Sequence, residues 1–501
     1  MRRYAVPGVL LLSFAATLVI AYDIYDRIPR LEDELANIYQ AQVFASGRLY
    51  AHTPPVEPLA FGVPFVVDFD GKRFSKYPPG ESILLALGLW LGDPWLIGPF
   101  LGVLALAATY RLGRGLFDKR TALLAIVLGV VSPFYLVITP SFMPHAASML
   151  AATLFALCFL RLQETESPFT LHALALVAGL ALGFEFLVRP YTAIWTAVPF
   201  GLFVISDLRR DAQRYLKLYC LMALGFAIVG GLLPIYNYNL TGQVRLSLYE
   251  LWWPFDRLGF GPDVGPFGFT PLAAFDKTGS DLENLTHDLH GVPFLSLIPL
   301  ALGLFLRPRA RTDGFLLLML ISLMVGAFVY HSGSRLYGPR YFYEAWPAMM
   351  LLSARGLLKL IGLPRDHRPI RFLIYAGVGV FFSIGIFFYI PFRFNLMRNV
   401  HKGALNWDVA HAVQQANLHR ALVFQFADDW PEAAAGNLLT DPDLTADVIY
   451  ARYLGPDSYL SMVAVHPDRE IYFWRDGKLT PATNPPPDWF PTYPTVRYPN
   501  P

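Results

Sequence analysis

Long apolar runs separated by polar loops set the pattern of this chain. Apolar segments fall near residues 5–22, 81–92, 95–112, 121–139, 146–161, 171–188, 191–206, 217–236, 292–306, 314–331, 344–360 and 372–390. A hydrocarbon layer about 30 Å thick calls for roughly 20 apolar residues in a helix. The run at 81–92 falls short of that and follows Tyr77-Pro78-Pro79-Gly80. It reads as a re-entrant or interfacial helix. About eleven spans remain by hydropathy. The expected fold is an all-α polytopic membrane bundle over residues 1–390. Interfacial helices in its first outer loop and a small C-terminal α/β appendage over 391–501 complete it.

The short loops give the orientation. Arg2-Arg3, the Arg111/Arg114/Lys119/Arg120 cluster, Arg209/Arg210/Arg214/Lys217, Arg307/Arg309/Arg311 and Arg365/Arg368/Arg371 all fall on one side. The positive-inside rule makes that side cytoplasmic. The loops 23–80, 237–291 and 332–343, and the tail from 391, are then extracytoplasmic. The first segment, MRRYAVPGVLLLSFAATLVIAY, is longer than a signal-peptide core and is expected to stay as an uncleaved helix.

Within the first outer loop, residues 33–46 have helical periodicity. Leu35, Ile38, Tyr39 and Val43 form an apolar stripe, and Asp33, Asn37 and Gln40 a polar one. Gly47 is placed to cap the C-terminus. The pattern predicts an amphipathic helix lying on the outer membrane surface. Loop 237–291 is rich in Gly, Pro and aromatic residues and predicts an ordered cover held by aromatic packing, without definable secondary structure. Beyond residue 391, NWDVAHAVQQAN predicts a helix, RALVFQF a strand, DVIYARYL a strand or helix, and REIYFWRDGKL a strand and turn. A Pro-rich tail follows.

Composition supports the membrane assignment. Charged residues are 16% of the chain and hydrophobic ones 54%, against about 25% charged in soluble domains. The two cysteines, Cys158 and Cys220, both lie in apolar runs and read as small core residues. No nucleotide-binding glycine loop, Ser/His/Asp signature or internal repeat is present, and nothing points to nucleic acid.

Candidate chemistry concentrates on the outer side. Asp33-Glu34 opens the first-loop helix, where carboxylates are favoured by the helix dipole. The same position suits a general base or a ligand for a divalent metal. Lys76 and Tyr77 precede two prolines that stiffen the backbone. Lys76 there could anchor membrane-lipid headgroups or hold one phosphate of a lipid-linked substrate. Arg189-Pro190-Tyr191 sits at an outer turn, His145 starts another span, and Arg335, Arg340, Tyr341 and Tyr343 crowd the segment HSGSRLYGPRYFYEAW. Arginines make bidentate phosphate contacts, and several on one side favour an anionic ligand over simple snorkelling. Glu185, inside the apolar LALGFEFLVRP, is expected to pair with Arg189 one turn on.

The runs EDELANIYQAQVFASGRLY, SKYPPGESILLAL, LVRPYTA, YNYNLTG and GPRYFYEAWP resemble the C-type glycosyltransferases, in the branch of protein O-mannosyltransferases and lipid A aminoarabinose transferases. The resemblance covers roughly residues 1–390. It implies transfer of a sugar from a polyprenyl-phosphate donor to an extracytoplasmic acceptor, which would be a lipid, a glycan or a protein, at a bacterial inner membrane. Asp33, with Glu34 beside it, would act as base on the acceptor or help position a divalent metal ion. Lys76 would hold the donor phosphate, with Tyr77 standing here between it and the prolines. From their charge and common side, rather than from the resemblance, Arg189, Arg340 and Tyr341 are expected to complete the phosphate site, with His145 a further candidate. A flippase for lipid-linked saccharide would share the basic outer groups but is expected to show inverted repeats and broken midplane helices. A surface-polysaccharide polymerase or ligase would place its chemistry in a late outer loop.

Overall fold

The computed structural model describes residues 4–334, 336–363, 367–405, 407–482 and 486–493. Arg2, Arg3, Arg335, Arg365 and the rest of the Pro-rich tail lie outside the described residues. Seven described helices are long and apolar enough to cross a membrane: Ala5–Ile24, Pro94–Leu116, His145–Leu162, Pro168–Val188, Pro190–Thr241, Arg311–Phe328 and Arg368–Asn399. The element of 52 residues carries two of the expected spans. They meet at Asp211, whose φ of −155° and ψ of 82° break the helix.

Three other expected spans are shorter helices, and proline accounts for two of them. The run at 121–139 divides before Pro133 into Lys119–Val130 and Pro133–Ile138. The run at 292–306 retains only Ile298–Phe305, because Pro293 and Pro299 lack the N–H that a helix interior needs. The run at 344–360 becomes Trp346–Gly362, of 17 residues.

The chain forms two compact units. One comprises residues 1–27, 95–235 and 257–396; the other comprises 28–94, 236–256 and 397–501. In the first, helices Pro168–Val188 and Pro190–Gly230 pack backbone to backbone. A Cβ on Gly179 would collide with the Met222 carbonyl, so only glycine allows this approach. In the same unit, Thr270 caps a helix over Pro271–Asp288 by accepting the Ala273 N–H at 3.2 Å, with Pro271 in its first turn. This helix corrects the expectation that loop 237–291 has no definable secondary structure. Its apolar positions are spaced for one buried face, with Ala274 and Leu285 buried and Leu272 and Phe275 exposed. Gly and aromatic residues nearby masked that signal.

The second unit holds the first loop. Its helix runs Glu32–Ala45 and ends as expected at Gly47, with φ +78°. The Gly47 N–H donates to Phe44 O and the Arg48 N–H to Val43 O, both orphan carbonyls of the last turn. Its surroundings correct the surface-helix expectation. Asn37 and Gln40 are as buried as Leu35 and Val43. Gln40 donates to Leu49 O at 2.9 Å and accepts the Ser75 N–H at 2.9 Å. The polar stripe faces loop backbone that needs partners, so the helix is enclosed by protein on both sides. Ser75 ends the small antiparallel sheet of β1 (Ala51–His52), β2 (Val66–Phe69) and β3 (Lys72–Ser75), ordered β1-β3-β2. The helix Pro79–Leu91 follows; at 13 residues it is too short to span.

The same unit contains a four-stranded sheet, β4 (Ala421–Gln425), β5 (Val448–Arg452), β6 (Glu470–Arg475) and β7 (Lys478–Pro481), ordered β5-β4-β6-β7. β4 runs parallel to β5 and β6, and β7 pairs antiparallel with β6 across Asp476-Gly477. Both turn residues have positive φ, the requirement of a tight hairpin turn. Ala60 and Phe61 of the first loop enter the core of this sheet beside Leu422, Phe424, Ile449 and Phe473. Asn437 fastens them by donating to Ala60 O at 3.2 Å and Gly62 O at 2.8 Å.

Candidate active site

The first-loop residues expected to carry chemistry come together within the second unit. Asp33 sits in the first turn of the helix Glu32–Ala45, and the Tyr77 hydroxyl donates to its Oδ1 at 2.5 Å. Glu34, one residue on, serves the helix end. Its Oε2 accepts the backbone N–H of Arg30 at 2.5 Å and of Leu31 at 3.1 Å, the return half of a capping box. That geometry fixes the start of the helix, and with it the position of Asp33.

Lys76 is 3% exposed and its ammonium lies 3.0 Å from Asp256 Oδ2. Aromatic rings surround it: Phe65 at 4.2 Å, Trp253 at 4.3 Å, Tyr249 at 5.3 Å and Tyr77 at 5.4 Å from the charge to each ring centre. A buried ammonium needs both a counter-ion and polarisable neighbours, and this cage supplies them. Phe65 adopts φ +59°, a conformation uncommon for a bulky side chain. Asp256 was not singled out in the sequence. An acid directly after three aromatics, in WWPFD, is the signal that could have marked it.

A second constellation lies in the first unit. Arg189 ends the helix Pro168–Val188, and its Nη1 donates to Glu344 Oε1 at 2.5 Å. The His145 Nδ1 is 2.7 Å from the same nitrogen and 3.7 Å from Glu344 Oε1. Arg189 and Arg340 both stack on Tyr341, with guanidinium carbons 5.6 and 5.4 Å from the ring centre. His145, Arg189, Arg340 and Tyr341 therefore form one cluster, organised by Glu344, a carboxylate with no distinguishing sequence signal within RYFYEAW.

The expected Glu185–Arg189 pair does not form. Arg189 has φ −144° and ψ 81°, because Pro190 opens the next helix and forces the preceding residue out of helical geometry. Its side chain turns to Glu344, and Glu185 instead accepts the Thr196 hydroxyl at 2.7 Å.

For a divalent metal, the donor set is thin. Among the described residues no three or more His, Cys, Asp or Glu side chains gather as a ligand group. Asp33 by itself does not make a metal site from protein donors.

The comparisons with known proteins bear on this arrangement. Residues 95–233 match the family model described as dolichyl-phosphate-mannose-protein mannosyltransferase. The structure of ArnT from Cupriavidus metallidurans bound to undecaprenyl phosphate superposes with a TM-score of 0.60 at 16% identity. That match covers 94% of this chain and 92% of that one. The fold is that of the C-type membrane glycosyltransferases. A second structure with this C-type fold, the oligosaccharyltransferase of Archaeoglobus fulgidus tethered to an acceptor peptide, matches with a TM-score of 0.53 at 15% identity. It covers 94% of this chain and 69% of that one. No curated protein matches the sequence. The C-type likeness runs through the α/β region as well, beyond the residues 1–390 to which the sequence resemblance extended.

Proposed function

We propose that this protein is a membrane glycosyltransferase that moves a sugar from a polyprenyl-phosphate donor to an acceptor on the extracytoplasmic side of a bacterial inner membrane. The observation that carries this reading is the Tyr77-held carboxylate of Asp33 at the head of a buried helix, within a C-type fold. A general base must be held in place to work, and such a group typically contributes about 10²–10⁴-fold.

In the proposed reaction the acceptor hydroxyl attacks the anomeric carbon as its proton passes to Asp33. The bond from that carbon to the phosphate oxygen breaks, and its electron pair leaves with the polyprenyl phosphate. Positive groups at the phosphate lower the cost of that departing charge. The cluster of Arg189 and Arg340 on Tyr341, within the first unit, has forked donors that match phosphate oxygens and is a separate anion-binding candidate. Lys76 adds a fixed positive charge, and Asp256 keeps it oriented until substrate binds. Glu34 holds the helix end that presents Asp33. His145, 2.7 Å from Arg189 Nη1, helps hold that guanidinium.

The ArnT structure contains undecaprenyl phosphate and the oligosaccharyltransferase an acceptor peptide. These support a lipid-phosphate donor here and leave lipid, glycan and protein acceptors as the classes to assay. Purified protein in nanodiscs, offered a panel of polyprenyl-phosphate sugars with each acceptor class, tests the reading. Wild type should release polyprenyl phosphate, and a well-folded Lys76→Ala variant should bind the donor at least tenfold more weakly. A lipid-linked sugar that crosses liposomes uncleaved would make the protein a flippase.

A further inference from the structure

The four-stranded sheet has a feature that the transfer reaction does not use. The chain leaves β4 for β5 on one side of it and then crosses to β6 on the other. The carboxyl end of β4 is therefore the topological switch point, where open α/β sheets have their ligand crevice. Here that crevice is filled by the protein's own tail, residues 486–493.

The contacts are mainly of two kinds. Polar groups of the crevice take the main chain of the tail. Arg452, only 2% exposed, donates to Tyr493 O at 2.7 Å while its other bonds go to Ala427 O and Asp428 O. The Tyr453 hydroxyl donates to Pro487 O at 2.5 Å. Asp428 O accepts the Tyr493 N–H at 3.1 Å, and Asp428 Oδ1 accepts the N–H and hydroxyl of Thr492 at 3.3 and 3.0 Å. Aromatic groups form the seat. Phe426 and Tyr453 stack with ring centres 4.3 Å apart, and Trp489 lies 5.2 and 6.0 Å from them. Gly455, at φ +130°, leaves room for Phe490; a Cβ there would strike its ring.

Recognition of backbone carbonyls beside an aromatic floor is how grooves take extended proline-containing segments, whose stiffness lowers the entropy lost on binding. The occupying stretch, PPDWFPTY, has three prolines in eight residues. Most of the polar contacts read main chain, so another segment of the same character could make them. The seated rings are also only partly covered: Phe490 is 64% and Tyr493 41% exposed.

We propose that the crevice at the carboxyl ends of β4 and β5 is a groove for an extended, proline- and tryptophan-bearing segment of another polypeptide, which residues 486–493 occupy in cis as an internal competitor. The inference is independent of the glycosyl-transfer reading. A tethered tail acts at an effective concentration in the millimolar range. With an intrinsic Kd of about 10 µM it would weaken a competitor about 100-fold.

The test uses the full chain in nanodiscs, with and without residues 484–501, and a fluorescein-labelled peptide copying residues 484–493, read by anisotropy. The truncated protein should bind the peptide, the intact one at least tenfold more weakly. Binding should fall when the peptide carries Trp489→Ala or the truncated protein carries Tyr453→Phe. A full-length Trp489→Ala/Phe490→Ala variant, which loosens the tail without removing it, should also admit the wild-type peptide. If truncation prevents folding, this variant decides. Binding no stronger than to intact protein in every folded variant would overturn the proposal. So would equal binding of a scrambled peptide, or capture of ATP or inorganic phosphate in place of peptide.

Discussion

Breaking the Arg189–Glu344 pair gives the sharpest prediction about the candidate site. The Glu344 side chain is wholly buried and that of Arg189 is 13% exposed, with 2.5 Å between the bonded atoms. Coulomb attraction at that distance is about 7 kcal/mol for an effective dielectric constant near 20. Desolvation of both charges offsets most of it, so the pair's net worth against an apolar replacement is small. Removing one partner is different, because the other charge stays buried and uncompensated, at a cost of about 3–5 kcal/mol. Glu344→Gln should therefore destabilise by about 3 kcal/mol or more, since His145 hydrogen-bonds Arg189 through Nδ1 without neutralising it. Arg189→Met should cost a similar amount. The double variant should cost less than the sum by at least about 2 kcal/mol, well above the roughly 0.5 kcal/mol within which independent sites add. Reversible SDS unfolding of the four proteins in mixed micelles measures the cycle. Single costs below about 1 kcal/mol, or additivity within about 0.5 kcal/mol, would refute a buried, coupled pair.

Other expected outcomes follow from neighbouring contacts. Tyr77→Phe removes one hydrogen bond to a carboxylate, worth about 1.5–3 kcal/mol, so turnover should fall roughly 10- to 150-fold while donor binding changes little; unchanged turnover would separate Tyr77 from Asp33. Burial pushes the Glu81 carboxyl well above its ordinary range, and its Oε2 has no hydrogen-bond partner among the described residues. The folded state thus holds a proton that the unfolded state loses above about pH 4.3, and wild-type stability falls as pH rises from there toward the raised value. Glu81→Gln should remove that slope and raise the Tm near pH 7; a melting profile with an unaltered pH dependence would count against it. Asn437→Ala strips donors from the Ala60 and Gly62 carbonyls, at about 1–3 kcal/mol, and should speed amide exchange over residues 58–62.

The legible and illegible parts of this chain divide along physical lines. Long apolar runs and the strands of the α/β region were readable because their signals are local: hydropathy, alternation, and a turn pair such as Asp476-Gly477. The helix Pro271–Asp288 was missed because its amphipathic face is set among Gly- and aromatic-rich neighbours. The surface placement of Glu32–Ala45 failed for another reason. Periodicity shows which positions are polar, not whether water or buried backbone such as Ser75 N–H satisfies them. In the two candidate clusters, the cations and Asp33 stood out as charges at the ends of or between apolar runs. Their organisers did not, because Asp256 meets Lys76 across 180 residues and Glu344 meets Arg189 across 155. The Glu185–Arg189 expectation went wrong on a backbone detail, the extended residue before Pro190, that i,i+4 spacing ignores.

The central claim rests on Asp33 as the base in sugar transfer from a lipid phosphate. Its most direct test is single-turnover transfer of radiolabelled sugar from a polyprenyl-phosphate donor, comparing wild type with Asp33→Asn in the same nanodiscs. Wild type should give labelled acceptor and free polyprenyl phosphate in equal amounts. Asp33→Asn should bind the donor as tightly and transfer it about 10²–10⁴-fold more slowly. Transfer by folded Asp33→Asn at the wild-type rate would contradict the account.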